Sequence, residues 1–154
     1  MIRTLLILGS FLLPTLSAGG LRADSSWLIT SSEAAKIAFP ADSSIVPQSA
    51  VEGAGPSILV KRPKLFEKVT SPIDIFVSFV PGKSGEDPDM ETLHVTLIGF
   101  FDFDITERVE KYIVGDTLDI VDADLPKGRH KIRMSIKDVG GSLNERDLLV
   151  RVAE

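Results

Sequence analysis

Two histidines, a scatter of carboxylates, a row of basic side chains and a knot of phenylalanines are the residues in this chain able to do chemistry. His94 and His130 are its only imidazoles. A zinc or copper ion gathers its ligands around one point. Strand alternation puts His94 on the outward side with Thr92 and Thr96, and His130 on the inward side with Ile132, Met134 and Ile136. Imidazoles on opposite faces of extended chain cannot share one ion, so His130 is expected to be structural.

The carboxylates raise calcium as a possibility. Asp102, Asp104, Asp116, Asp119, Asp122 and Asp124 crowd one region, and Glu86, Asp87 and Asp89 stand in a loop. Calcium takes six to eight oxygens converging on one site. Asp102-Phe-Asp104-Ile-Thr106 lacks the third ligand and the glycine of an EF-hand loop. Solvated loop acids are the plainer reading, and no metal or cofactor is assigned.

Arg129, Lys131, Arg133 and Lys137 form a basic stripe on the wet face of one predicted strand. They are expected either to solubilise that face, each exposed ion pair contributing about 0–1 kcal/mol, or to hold an anionic polymer or acidic partner. Phe100, Phe101 and Phe103 either cover an edge of the core or make an apolar docking patch. Alternation would bury Phe100 or the Phe101 and Phe103 pair, not both. These two groups are the candidate interaction surface. Catalysis finds little support: there is no cysteine, no Gly-x-Ser-x-Gly elbow, no phosphate-cradling glycine loop and no His-Glu-x-x-His helix. Trp27 and Tyr112 are the only residues of their types, which leaves few platforms for sugar stacking.

The elements that must position these groups are mostly strands. The 154 residues have room for one domain. Arg3 precedes an uncharged run, Thr4 to Leu21, whose apolar centre has signal-peptide length, and Ser17 to Gly20 offer a cleavage site. A signal peptide is expected over 1–23. With Pro14 and its glycines the run falls short of the roughly 20 apolar residues of a comfortable membrane span. Residues 24–56, rich in Ser, Ala, Pro and Gly, are expected to be a flexible linker, with two possible helical turns over Ser32 to Phe39. The domain is placed at 57–154.

Within it, strands are predicted at Ile58 to Lys61, Ile73 to Val80, Thr92 to Ile98, Thr117 to Val121, from His130, and Asp147 to Val152. Asp138-Val-Gly-Gly supplies the turn of the last hairpin. Pro81 to Asp89 is read as an exposed loop. Asp104 and Glu107 have the spacing of a capping box for a short helix over Thr106 to Tyr112. About seven strands, regular turns and no long helix argue for an all-β fold, a single antiparallel sandwich.

Ser71-Pro-Ile-Asp-Ile75, Leu125-Pro-Lys-Gly-Arg-His-Lys-Ile132 and Ile136-Lys-Asp-Val-Gly140 resemble the bacterial Ig-like and cadherin-like, or fibronectin type III-like, modules of exported proteins. The resemblance covers roughly residues 57–154 and implies an Ig-like β-sandwich. It also implies a role for His130, five residues after Leu125, where relatives often carry a tyrosine bonded back to the corner backbone.

An exported chain without cysteine suits a periplasmic or extracellular bacterial setting. A net charge of −5 makes nucleic acid an unsuitable partner. The expected function is therefore a non-enzymatic module acting through a protein partner, as an envelope accessory or surface interaction domain. The alternative is a periplasmic ligand-binding protein for calcium or an anionic molecule. On this pattern, denaturant unfolding of Ile132→Ala or Ile136→Ala should show a loss of about 2–5 kcal/mol. Lys131→Ala should change stability by no more than ~0.5 kcal/mol.

Overall fold

The computed structural model describes residues 27–38, 52–64 and 67–153. The expected signal segment lies outside them. Nine strands and two short helices follow in order: α1 (Ser31–Ile37), β1 (Ser57–Arg62), β2 (Lys68–Val69), β3 (Ile73–Val80), β4 (Pro88–Ile98), β5 (Phe103–Asp104), α2 (Thr106–Glu110), β6 (Ile113–Val114), β7 (Thr117–Ala123), β8 (Gly128–Asp138) and β9 (Leu143–Val152).

The strands form two sheets, ordered β1-β3-β7-β6 and β2-β9-β8-β4-β5. Every pair is antiparallel except β2 with β9, which run parallel, so the second sheet is mixed where a purely antiparallel fold was expected. Alternation decides what goes inside. Ile73, Ile75, Val77 and Phe79 of β3, Leu93, Val95 and Leu97 of β4, and Ile132, Met134 and Ile136 of β8 are buried and share one core cluster. The β8–β9 hairpin turns where expected, and Gly141 takes φ 87°, a conformation open to glycine at no steric cost.

Differences from expectation lie at the edges. Strand β4 starts at Pro88, inside the expected loop, because Pro88 and Asp89 face Asp138 and Lys137 across the ladder. The capping box at Asp104 does not form. The N-cap of α2 is Ile105, without a side-chain bond, and Asp104 Oδ1 accepts from the Thr106 amide at 2.7 Å.

The larger difference concerns the expected linker. Its described parts are packed on the domain. Leu28, Ile29 and Ile37 belong to the core cluster, Ile29 being fully buried. Thr30 caps α1 through a complete capping box with Glu33. The Glu33 carboxylate takes a two-pronged bond from Arg108 of α2, at 2.6 and 2.9 Å, and the same guanidinium donates to the Leu28 carbonyl. A helix of seven residues is marginal by itself, so this docking is what holds it. Composition marked residues 24–56 as loop-like, yet the apolar Leu28, Ile29 and Ile37 have a core to enter that composition cannot reveal.

The Arg108 hydrogen bond lowers the Glu33 pKa from 4.5 to about 2. A carboxyl lowered on folding stabilises the native state fully above its unfolded value, and that contribution is lost as pH falls toward 2. Ile29→Ala should therefore lower unfolding stability by about 2–5 kcal/mol in urea titration. A change below ~0.5 kcal/mol would mean that the segment is not part of the folded unit.

Candidate interaction surfaces

On β8 the basic stripe does not stand free as a set. Arg129 and Lys137 are exposed, but Lys131 keeps only 8% of its surface and Arg133 is half-buried. Lys131 Nζ lies 3.0 Å from Asp147 Oδ2, and Arg133 Nε lies 2.8 Å from Asp147 Oδ1. Asp147 stands opposite Arg133 across the β8–β9 ladder, while Ile98 and Leu149 flank Lys131 and cover its stem. Strand parity rightly placed Lys131 on the outward face. That face is locally apolar, so the side chain is buried there and the expectation of a near-neutral Lys131→Ala is withdrawn. Burial alone would raise the Asp147 carboxyl, but its bonds to Arg133 and Lys131 outweigh that and leave it lowered.

The phenylalanines separate as well. Phe103 pairs with Leu97, half-covers the sheet edge and lies under the Arg108 guanidinium at 5.4 Å. Phe100 and Phe101 are 71% and 66% exposed and meet edge to face at 4.8 Å. Alternation was expected to bury one side of this cluster. Both rings escape it because they occupy a turn between β4 and β5.

His130 is buried, and its Nε2 donates to the Pro126 carbonyl at 2.6 Å. Burial lowers its pKa and the Pro126 bond opposes that. His94 is exposed on the outward side of β4. Among the described residues no three acid or imidazole groups are placed to hold a metal ion. The expected calcium candidates are dispersed: Glu86, Asp87 and Asp89 lie at the start of β4, Asp102 and Asp104 beyond its end, and Asp119 faces Arg62 at 3.6 Å.

Two features were not among the surface candidates read from sequence, although the Asp138 turn itself was predicted. The first is the β8–β9 turn. Asp138 accepts from the Ser142 amide through Oδ1 at 2.7 Å, donates its own amide to the Ser142 carbonyl at 3.0 Å and accepts from Gly141 N at 2.9 Å. Val139 N donates to the Asp87 carbonyl, tying this turn to the β3–β4 loop. Val139 and Leu143 stand out from this braced turn, 63% and 45% exposed. Beside it lies an open cleft of about 290 Å3 lined by Glu52, Lys83, Asn144, Glu145 and Arg146. The second is a pair of exposed cations, Lys68 and Arg151. The parity of Arg151 with Leu149 was legible in the last strand, whereas nothing marked the two-residue strand holding Lys68.

Asp147→Ala, which removes the carboxylate shared by Lys131 and Arg133, should cost about 2–4 kcal/mol in denaturant unfolding, while Lys131→Met should be neutral or stabilising. Equal losses for the two would show that the pairing is immaterial. The chain matches no protein-family model, no curated protein and no solved structure with which it was compared.

Proposed function

We propose that this chain is an exported, non-enzymatic Ig-like module that acts by protein contact, as an envelope accessory or a surface interaction domain. Support for the Ig-like reading comes from the strand order. A sheet β1-β3-β7-β6 against β2-β9-β8-β4-β5 follows the two-sheet division of that fold. The His130 bond to Pro126, four residues upstream, stands where the corner tyrosine of such domains bonds back. The export reading rests on Arg3, the apolar run after it and the small residues at 17–20, and a periplasmic or extracellular location follows from it.

The observation that carries protein contact is the braced β8–β9 turn. A partner surface gains most from apolar groups already held in place, since little side-chain or loop freedom is lost on binding. Val139 and Leu143 meet that condition through the bonds of Asp138 and Asp87. Of the polar side chains lining the adjoining cleft, Asn144 donates through Nδ2 to the Pro56 carbonyl and Arg146 to that of Ile58, which fixes the start of β1.

A photo-crosslinking residue at Val139 in intact cells is expected to capture a protein of one discrete mass. Leu143→Glu should abolish that capture at unchanged Tm. A chain that stays monomeric and uncrosslinked at Val139 would count decisively against this function.

A further inference from the structure

The opposite end of the five-stranded sheet carries a row of cations that crosses three strands. Lys68 of β2 stands opposite Arg151 of β9, and Arg151 stands opposite Arg129 of β8. Residues facing each other on a ladder put their side chains on the same face. Arg129 has the parity of Lys131 and Arg151 that of Leu149, so all three point outward. Three adjacent strands span about 10 Å. All three side chains are exposed, and none takes part in an ion pair among the described residues.

Phe100 and Phe101 lie at the same end of this sheet. Ile98, the last residue of β4, faces Lys131 near the start of β8, and the turn after it leads to β5 at the sheet edge beyond β4. The turn that carries the two rings is fixed from below. A Cβ at Gly99 would run into the Ile37 side chain, the Phe100 amide donates to the Ile37 carbonyl at 3.4 Å, and Asp102 Oδ1 accepts from the Gly99 amide. The rings therefore project from a held turn, and the cleft lies at the other end of the domain.

A row of cations and two projecting aromatic rings at one end of the domain match a surface that is anionic at its face and apolar just beneath. A bilayer of acidic phospholipids has both layers and yields to the rings without a preformed pocket, whereas a protein partner would need a pocket for each ring. We propose that this end of the domain docks on an anionic lipid surface. The Lys68, Arg151 and Arg129 row contacts headgroup phosphates, and Phe100 and Phe101 enter the acyl boundary. The net charge of −5 opposes approach from afar, so the attraction is local and acts within a Debye length of about 8 Å. Glu67 and Asp102, both exposed, flank the row and leave it net positive. This surface is distinct from the β8–β9 turn assigned to protein contact.

The chain has no cysteine, so single nitroxide labels at Phe101→Cys and at Val139→Cys report depth at each end of the full chain. On phosphatidylcholine vesicles containing phosphatidylglycerol, the label at 101 should become lipid-accessible and the label at 139 should stay aqueous. Arg129→Glu combined with Arg151→Glu should lower the inserted fraction roughly tenfold or more, as should raising salt from about 50 to about 500 mM. The salt arm needs no variant, so it holds even if the double variant folds poorly. Phe100→Ser should reduce insertion while the Val139 crosslink persists, which separates failure here from failure of the protein-contact role. An aqueous label at 101 on vesicles that retain the chain overturns the proposal. Absence of vesicle binding, equal insertion into phosphatidylcholine alone, or immobilisation of that label by an acidic protein and not by vesicles does so too.

Discussion

The rest of the structure depends on the burial of two alternating apolar faces against each other. Val77 and Phe79 from one sheet and Leu97, Met134 and Ile136 from the other lie within one cluster at 2% exposure or less. A strand has a period of two, so committing one set of side chains inward commits the intervening set outward along its length. That constraint aligns Arg129, Lys131 and Arg133 on one face of β8. The cross-strand register then decides what each of them meets. Fully burying a side chain such as Ile136 contributes about 1.5–3 kcal/mol, so a one-residue slip would forfeit far more than any surface ion pair could return.

Several polar groups that this packing takes from water are compensated locally. Asp147 answers Lys131 and Arg133 across one rung of the hairpin, and Glu33 answers Arg108 between the two short helices. The Asp138 carboxylate satisfies the tight turn it begins. Each of these acids has a lowered pKa, in part through the hydrogen bonds it receives, and each therefore stabilises the fold at neutral pH and loses that effect in acid. The Glu33 pair has a further consequence: it joins a segment before β1 to a helix between β5 and β6, so residues far apart in sequence close one core.

Function, on this reading, divides between the two ends of the β4 and β8 strands. The end bearing the β8–β9 turn is braced by backbone bonds and offers Val139 and Leu143. The other end combines three exposed cations with two projecting rings. A module with contacts at both ends bridges what it touches, which suits a chain proposed to work in an envelope. Neither end needs a reactive group, because rigid display of ordinary side chains suffices for contact.

Period and turn chemistry are local, so the amino-acid sequence by itself determined the β-rich character, the inward faces of β3, β4, β8 and β9, the turn at Asp138 to Gly141 and the burial of His130. Strands of two residues carry no period, which is why β2, β5 and β6 were not legible, and with β2 went the parallel pairing that aligns Lys68 with Arg151. The candidate surface was legible only as parts. Arg129, Phe100 and Phe101 could be picked out by type, but their placement at one end of the sheet depends on the β4–β8 register, and the loss of Lys131 and Arg133 to Asp147 depends on the β8–β9 register. Those are long-range pairings, as are the burial of Ile29 and the docking of α1. Only the tertiary structure could decide them, because their free energy comes from partners that no local window of sequence contains.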